Sequence, residues 1–273
     1  MPLFKASFIH KAIVFLVAAI ISISAMAAPN FNQTQRLANQ GDAGAQFNLG
    51  LMYSKGEGVR QNYVQARQWY EKAAIQGDAG AQYNLGVMYD KGKGVRQDYA
   101  KSFEWTQKAA NQGDASAQNN LGIMYSKGRG VRQDYSKAFE WTQKAANQGD
   151  AGAQYNLGVT YASGEGVRQD YTKAVEWYQK SADQGYARAQ YSLGWMYDEG
   201  EGVRQNYAKA VEWYTKAANQ GEAKAQNNLG AMYSNGQGVR KNISTAKEWF
   251  GKSCDNGDQE GCDNYRILNE QGH

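Results

Sequence analysis

Two cysteines, Cys254 and Cys262, carry the most specific chemistry in this sequence of 273 residues. Two thiols at this separation could form a disulfide, contribute to a zinc site, or include one reactive thiol. A zinc site needs further ligands, and neither of the two histidines, His10 and His273, is near the pair. The choice among the three therefore depends on how the surrounding elements place the two side chains.

One segment, Ser244-Thr245-Ala246-Lys247, fits the S-x-x-K nucleophile motif of penicillin-binding enzymes. The Ser-Asp-Asn and Lys-Thr-Gly companions of that motif do not occur in the sequence. Histidine-dependent catalysis lacks a candidate too, because both histidines lie in terminal segments. Five glutamates that recur every 36 residues are typical of solvated helix charges. They are Glu104, Glu140, Glu176, Glu212 and Glu248. We therefore expect no enzyme activity and no cofactor, with weak β-lactam hydrolysis as the catalytic alternative.

Residues 1–27 have the pattern of a secretory signal peptide. Lys5 and Lys11 form a basic start, an apolar run follows, and Ala25-Met26-Ala27 offers a cleavage site. The run is shorter than the roughly 20 residues of a membrane-spanning helix, which disfavours the alternative of an uncleaved anchor. We expect cleavage after Ala27, a periplasmic or secreted protein, and no stable membrane insertion after cleavage.

Most of the remaining sequence is one pattern of 36 residues, repeated six times without a gap. Ala43-Gly-Ala-Gln-Phe-Asn-Leu-Gly returns as Ala79-Gly-Ala-Gln-Tyr-Asn-Leu-Gly. Units one to six are residues 43–78, 79–114, 115–150, 151–186, 187–222 and 223–258. Within residues 28–42, the stretch from Gln35 to Asp42 matches the end of a unit, and residues 259–273 match the beginning of one. We expect a capping helix in each of these two segments.

Each unit contains two helical patterns separated by a loop with two glycines. In unit one, Ala45, Leu49 and Tyr53 recur at helical spacing and form one apolar stripe. A residue that caps helices precedes the second pattern in every unit. These residues are Asn62, Asp98, Asp134, Asp170, Asn206 and Asn242. Because stacked helix pairs bury a continuous core, the sequence predicts an all-α solenoid of helix–loop–helix units.

Two columns of small residues predict how the helices pack. Glycine recurs inside every first helix, where it costs about 1 kcal/mol relative to alanine. The glycine column is Gly50, Gly86, Gly122, Gly158, Gly194 and Gly230. It predicts close approach of the second helix, whose small column is Ala66, Ser102, Ala138, Ala174, Ala210 and Ala246. One tryptophan per unit, from Trp69 to Trp249, recurs at a fixed position, and we interpret this column as core.

The repeated pattern Ala-x-Ala-Gln-Tyr-Asn-Leu-Gly-x-Met-Tyr, closed by Glu-Trp-Tyr-x-Lys-Ala-Ala-x-Gln-Gly, resembles the Sel1-like repeat, a relative of the tetratricopeptide repeat. The resemblance implies a right-handed superhelical solenoid that acts as an adaptor or scaffold. In bacteria such proteins are often periplasmic or directed at host proteins. The resemblance therefore implies a protein or peptide partner, from the cell envelope or from a host. The net charge of +4 gives no reason to expect nucleic acid as the partner.

The repeat frame also places the cysteines. Cys254 takes the position of Ala74, Cys262 takes the position of Gln46, and these positions face each other across a tight turn. This placement favours a disulfide in an oxidising compartment. The spacing resembles that of the cysteine-rich Sel1-type proteins of Helicobacter, which carry such a bridge in every unit. That group has been associated with penicillin binding and weak β-lactam hydrolysis, which is why we keep the β-lactam alternative.

Positions that differ between units are candidates for partner contact, because stacking does not require them to stay the same. In related tetratricopeptide repeats the second, fifth, ninth and twelfth residues of the first helix face a concave groove, and the resemblance implies the same here. The fifth residues are Phe47, Tyr83, Asn119, Tyr155, Tyr191 and Asn227. The ninth residues are Leu51, Val87, Ile123, Val159, Trp195 and Ala231.

Among these positions we expect Tyr155, Tyr191 and Trp195 to contact a partner first, because protein interfaces favour exposed aromatic anchors. Two alternatives stay open. The aromatic residues could instead pack against the neighbouring unit, or they could stack on the sugars of a cell-wall glycan. The sequence does not separate protein binding from glycan binding.

Charged residues follow two patterns along the units. At the start of the loop, units two and three carry basic residues and unit five carries acidic ones, which could orient an extended ligand or only solvate the loop. The basic residues are Lys91, Lys93, Lys127 and Arg129, and the acidic ones are Asp198, Glu199 and Glu201. An arginine also recurs in every unit, in a Gly-Val-Arg segment. The column is Arg60, Arg96, Arg132, Arg168, Arg204 and Arg240. Because it recurs regardless of its neighbours, we predict that it binds loop carbonyls or stacks on an aromatic ring.

Overall fold

The computed structural model describes residues 30–272, and the regular elements in this range are all α-helices. Helix α1 (Phe31–Asn39) precedes the six units and α14 (Gln259–Glu270) follows them. The helices of the units are α2 (Ala43–Lys55), α3 (Tyr63–Ile75), α4 (Ala79–Lys91), α5 (Tyr99–Asn111), α6 (Ala115–Lys127), α7 (Tyr135–Asn147), α8 (Ala151–Ser163), α9 (Tyr171–Asp183), α10 (Ala187–Glu199), α11 (Tyr207–Ala218), α12 (Ala223–Asn235) and α13 (Ile243–Asp255). The predicted all-α fold of helix pairs with terminal helices is confirmed. The predicted signal peptide lies outside the described residues.

The described chain divides into two compact parts. Residues 30–81 with Lys93–Val95 form the N-terminal part, and residues 82–92 with residues 96–272 form the C-terminal part. In the N-terminal part α1 packs on α2, and α2 packs on α3. In the C-terminal part each helix from α5 to α13 packs on the next helix of the chain. Among the described helices, none is both long enough and apolar enough to cross a membrane.

The second helices begin at the predicted capping residues. Oδ1 of Asp134 accepts a hydrogen bond from the backbone N–H of Lys137 at 3.0 Å. The predicted residues of the other five units accept in the same way. Because the first N–H groups of a helix have no partner inside it, such a cap fixes where the helix starts. The glycine-containing turn after α7 ends the helix, with Gly149 at φ 94°.

The glycine of each first helix lies against the second helix of its own unit, as predicted. A Cβ atom added to Gly158 would lie 3.2 Å from the carbonyl oxygen of Ala174, a member of the small column. It would lie closer still, at 2.6 Å, to the ring of Tyr178. The residue after each tryptophan thus covers the glycine. The repeated pattern did not predict this contact. This column is Tyr70, Thr106, Thr142, Tyr178, Tyr214 and Phe250.

The tryptophan column lies at the edge of the core. Trp69 and Trp213 are buried, with 9% of their surface exposed, and the other four tryptophans of the column are half-buried. A lysine three residues later places its Nζ over each indole ring, at 3.8 Å for Lys72 on Trp69 and 4.2 Å for Lys252 on Trp249. A cation over an indole face is favourable. Each tryptophan therefore combines core packing with a surface contact.

From unit three to unit six, the loop inside each unit rests on the second helix of the preceding unit. A Cβ atom at Gly202 would overlap the carbonyl oxygen of Tyr171, and Gly202 has a φ of 70°. Gly130 has the same relationship to Tyr99. Only glycine fits both the positive φ and the close backbone approach. The second loop glycine therefore sets how closely successive units of the C-terminal part stack.

A disulfide joins Cys254, in the last turn of α13, to Cys262 in α14, and the two Cα atoms are 4.4 Å apart. The predicted pairing is confirmed. The bridge spans the turn that contains Gly257, which has a φ of 88°. It ties the last helix of the chain to the last complete helix pair, where a stack has a neighbour on one side only.

Candidate protein-binding surface

The candidate contact residues share one helix face, because residues four apart are neighbours on an α-helix. In the C-terminal part we call this face the first-helix strip. It comprises Tyr83, Val87, Asn119, Ile123, Tyr155, Val159, Tyr191, Trp195, Asn227 and Ala231. Val159 is 39% exposed and Asn227 only 4%, while the other eight are half-buried. Phe47 and Leu51 hold the same positions in the N-terminal part and are also half-buried.

The asparagines of the strip bind the sixth residue of the next first helix. Nδ2 of Asn156 donates to Oδ1 of Asn119 at 2.9 Å. In the same way Asn264 in α14 donates to Oδ1 of Asn227 at 2.9 Å. These bonds support the interpretation that the fifth position serves contact between units. Asn227 has little surface left for a partner, while the binding role of the set as a whole stays a prediction.

The tyrosines of the strip pack on the second helix of their own unit. The ring centroid of Tyr155 lies 5.8 Å from that of Tyr178 and 5.4 Å from that of Tyr186. The ring centroids of Tyr191 and Tyr214 are 5.8 Å apart. Tilted aromatic pairs at these distances are favourable. Each strip tyrosine is thus anchored by the core on one side and keeps a part of its surface open.

Trp195 contacts two neighbouring clusters of the core. One cluster contains Leu193, and Tyr155 packs against it. The other cluster contains Tyr214, and Tyr191 packs against it. The structure therefore brings Tyr155 of unit four close to Tyr191 and Trp195 of unit five. Trp195 stays half-buried there, so a part of its indole ring is accessible.

The hydroxyl groups of the strip are suited to binding and not to acid–base chemistry. Burial raises the pKa of Tyr155, and a hydrogen bond with Ser192 opposes this effect. Burial also raises the pKa of Tyr191, and the nearby Glu222 adds to the rise. Both phenols are therefore neutral at physiological pH, where they donate and accept hydrogen bonds.

Several charged loop residues are engaged within the protein. Nη1 of Arg129 lies 3.1 Å from Oδ1 of Asp90 in an ion pair. The hydroxyl of Tyr214 donates to Oδ2 of Asp198 at 3.2 Å. Burial raises the pKa of Asp198, and the hydrogen bond from Tyr214 opposes the rise. Arg129 and Asp198, two members of the predicted charge pattern, therefore already have partners within the protein.

The prediction for the arginine column was wrong. All six arginines are exposed, and within residues 30–272 none has a hydrogen bond, an ion pair or an aromatic contact. The neighbouring glutamine performs the expected role instead. In unit three, Nε2 of Gln133 donates to the carbonyl oxygen of Ser126 at 2.8 Å. Because this amide already satisfies the loop carbonyl, Arg132 stays in solvent.

The S-x-x-K segment lies in the first turn of α13. Ser244 is exposed, whereas Ala246 is completely buried in the small column. Nζ of Lys247 lies 5.6 Å from the ring centroid of Tyr265.

Within the range that the structure describes, no group of three or more His, Cys, Asp or Glu side chains could hold a metal ion.

The Sel1 repeat model matches six consecutive segments of the chain. These are residues 43–78, 79–114, 115–150, 151–186, 187–222 and 223–258. The chain belongs to the Sel1 repeat family. Solenoids of this family are scaffolds that generally take part in protein–protein interactions. A search of curated proteins found no match to this Sel1 repeat protein.

Solved structures of Sel1 repeat proteins are similar to the chain. A protective antigen of uropathogenic Escherichia coli strains is 36% identical with a TM-score of 0.79, over 89% of this chain and 56% of that one. The chain thus spans little more than half the length of that antigen. A Sel1 repeat protein from Oxalobacter formigenes is 35% identical with a TM-score of 0.73, over 78% of this chain and 86% of that one. One from Klebsiella pneumoniae is 26% identical with a TM-score of 0.51, over 74% of this chain and 99% of that one.

Proposed function

We propose that this Sel1 repeat protein is exported and binds a protein or peptide segment along the first-helix strip. The family supplies a scaffold of the kind that binds other proteins. The strip supplies neighbouring aromatic and aliphatic side chains on consecutive first helices of the C-terminal part. A partner that lies across several units would contact these side chains one after another.

The observation that carries the proposal is the partial exposure of anchored apolar residues. Trp195 and Tyr191 are held by the core and are half-buried, and Val159 is 39% exposed. Aromatic side chains that are already ordered lose little conformational entropy on binding. They therefore make strong anchors for a partner, in agreement with the enrichment of Trp and Tyr at interface centres.

Two features of the chain support the export part of the proposal. The N-terminal segment has the basic start, the apolar run and the Ala25-Met26-Ala27 site of a signal peptide. The disulfide between Cys254 and Cys262 is stable in an oxidising compartment. Fractionation of bacteria that express the chain with a C-terminal tag tests this part. We expect the tagged protein outside the cytoplasm, with a mass that corresponds to a mature chain starting at Ala28.

Affinity capture tests the binding part of the proposal. Purified protein on a solid support is incubated with cell-envelope extract and with host-cell extract, and the retained proteins are identified by mass spectrometry. The test variant carries Tyr191→Asn and Trp195→Val. Both substitutions have precedents in the same slots of other units, Asn119 and Val159, so they remove aromatic surface while the fold is kept.

The control variant carries Ile75→Asn. Ile75 is 72% exposed at the end of α3 in the N-terminal part, so this variant also loses an exposed apolar side chain. Circular dichroism checks that all three proteins are folded. A protein that wild type and Ile75→Asn retain and the double variant loses supports the proposal. Equal capture by all three would remove the strip as the site, and capture of no specific protein would favour the glycan alternative.

A further inference from the structure

The column of residues that covers the first-helix glycines has a gap. In units four, five and six the covering residue is Tyr178, Tyr214 or Phe250, and its ring lies 2.6–2.7 Å from a Cβ atom added to the glycine. In units two and three the covering residue is a threonine, Thr106 or Thr142. Because threonine has no ring, these two units lack the volume of an aromatic side chain.

Unit five shows how this position holds a phenol. The hydroxyl of Tyr214 donates to Asp198 at 3.2 Å, and Nδ2 of Asn228 donates to the same hydroxyl at 3.0 Å. The corresponding residues beside unit two's threonine are Asp90 and Asn120. Unit two therefore keeps the polar groups that surround a tyrosine in unit five, but it lacks the tyrosine.

A cavity of about 330 Å³ lies at this place, between unit two and residues of unit three. Val87, Ile123 and Met124 form apolar walls, and Ser102 and Thr106 line the cavity as well. Ser102 and Thr106 are each only 2% exposed, so they form the floor. Within the described chain neither hydroxyl has a hydrogen-bond partner, and neither oxygen is completely buried. A ligand that covers these oxygens removes them from water, which is costly unless the ligand itself brings a hydrogen-bonding group. The floor therefore favours a ligand with such a group.

The entrance of the cavity is polar. The carboxylate of Asp90 is 19% exposed and the guanidinium of Arg129 is 38% exposed, and the two groups are 3.1 Å apart. Nδ2 of Asn120 donates to the hydroxyl of Tyr83 at 3.3 Å. These groups can bind the N–H and C=O groups of a peptide main chain, while the cavity below receives a side chain.

We propose that this cavity binds a tyrosine side chain of a partner polypeptide. The proposal rests on the proposed scaffold function and names the chemistry of one anchor on the partner. The ring of the ligand fills the space that an intrinsic ring fills in units four to six. The ligand enters from the side on which Tyr214 has its hydroxyl in unit five, so its ring points in the opposite direction and its hydroxyl reaches Ser102 and Thr106 on the floor. Asp90 and Arg129 at the entrance then contact the main chain of the ligand.

Other side chains fit this cavity less well. A phenylalanine ring fills the apolar walls but leaves both floor hydroxyls without a partner. A charged side chain loses its hydration against the three apolar walls. The cavity is at the small end of the range for ligand pockets, so it suits one ring and not a larger aromatic ligand.

An NMR titration of the full-length mature protein tests the proposal. The probe is N-acetyl-tyrosine amide, and the phenylalanine and leucine analogues are compared with it. The signals followed are the methyl groups of Val87, Ile123 and Met124 and the side-chain amide of Asn120. We expect saturable shifts with a dissociation constant on the order of 1 mM for the tyrosine probe, as for one small anchor. The phenylalanine probe should bind at least about threefold more weakly.

A matched pair of variants assigns the site. Thr106→Tyr supplies the ring that units four and five carry, and we expect it to weaken probe binding by at least about tenfold. Thr142→Tyr makes the same change in unit three and should leave the binding unchanged. If Thr106→Tyr does not fold, Val87→Trp covers the entrance instead, with Trp195 of unit five as its precedent. Unchanged binding to the folded blocked variant, or equal binding of the phenylalanine probe, would overturn the proposal.

This experiment separates the site from the scaffold function. Capture from extracts that needs Tyr191 and Trp195, without any probe binding in unit two, would keep the scaffold and remove the tyrosine site. Probe binding that Thr106→Tyr abolishes, in a protein that captures no partner, would keep the site and remove the strip as the main binding surface.

Discussion

Nε2 of Gln148 donates a hydrogen bond to Oε1 of Gln118, 2.7 Å away, and Gln118 is buried between helices with 6% of its surface exposed. Nε2 of Gln118 donates in turn to the carbonyl oxygen of Ala110 at 3.1 Å. One buried amide thus joins the end of α5, α6 and the end of α7. The same arrangement recurs at Gln154 and Gln190.

Replacement of Gln118 should destabilise the C-terminal part. Gln118→Leu keeps the size of the side chain but removes two hydrogen bonds, the one that the carbonyl of Ala110 accepts and the one that Gln148 donates. Each of these two groups then keeps one bond to the backbone of Gly113. We expect the free energy of unfolding, measured in urea, to fall by about 1–3 kcal/mol. Arg132→Ala is the control, because Arg132 is exposed and has no partner among the described residues. Its effect should stay within about 0.5 kcal/mol, and equal effects of the two changes would contradict the role of the amide.

Two glycines of the same helix should respond in opposite directions to alanine. A Cβ atom at Gly50 in α2 would lie 2.6 Å from the ring of Tyr70, whereas one at Gly44 would meet only Asp42, at 3.5 Å. Gly50→Ala should therefore lower the stability by about 1–3 kcal/mol through overpacking. Gly44→Ala should be neutral or raise the stability by up to about 1 kcal/mol, because alanine favours helix. Thermal unfolding of both variants checks the pair, and a stabilised Gly50→Ala protein would rule out the close approach.

Loss of the disulfide should destabilise the C-terminal end of the helix stack and leave the rest of the stack unchanged. The bridge joins two residues that are 8 apart in the sequence. In the chain-entropy model, closing so short a loop stabilises the folded chain by about 2.5 kcal/mol. In a Cys254→Ser/Cys262→Ser variant we expect faster amide hydrogen exchange in α14 and the end of α13. Exchange in α6 and α7 should not change, because contacts in a stack reach only neighbouring units. Uniformly faster exchange along the chain would show that the bridge supports the whole fold.

The C-terminal part should lose stability at alkaline pH. Burial raises the pKa of Tyr178 and of Tyr214 far above the ordinary value of 10.0. Below pH 10 both phenols are neutral in the folded and the unfolded chain. As the pH rises above 10, only the unfolded chain releases these protons, so the free energy of unfolding falls by up to about 1.4 kcal/mol per pH unit for each residue.

Urea unfolding between pH 8 and pH 11 measures this slope. Tyr214→Phe should make the decrease less steep, and Phe250 in unit six shows that the fold accepts phenylalanine at this position. Tyr265→Phe changes an exposed tyrosine, 37% accessible, and should leave the slope as it is. The same slope in all three proteins would mean that buried phenols do not govern the alkaline response.

The sequence by itself determined the number of helices and their ends. Asp134 before α7 and the glycine-containing turn around Gly149 after it act within a few residues of the backbone that they cap. The 36-residue period determined the stacking, because a helix pair that repeats its apolar face can bury it only against its own copies. The same frame placed Cys254 opposite Cys262 and favoured a disulfide, which the structure confirms.

Only the tertiary structure decided what each repeated residue does. Arg132 and Gln133 recur side by side with the same period, yet Gln133 binds the loop carbonyl and Arg132 stays in solvent. Repetition shows that a residue recurs in every unit. It does not show which neighbour the residue contacts, because that neighbour lies on another helix. For the same reason the sequence does not show that Thr106 leaves space for a ring. The structure shows it, because in unit five the hydroxyl of Tyr214 binds both Asp198 and Asn228. A missing side chain has no pattern of its own, and the space that it leaves exists only between packed helices.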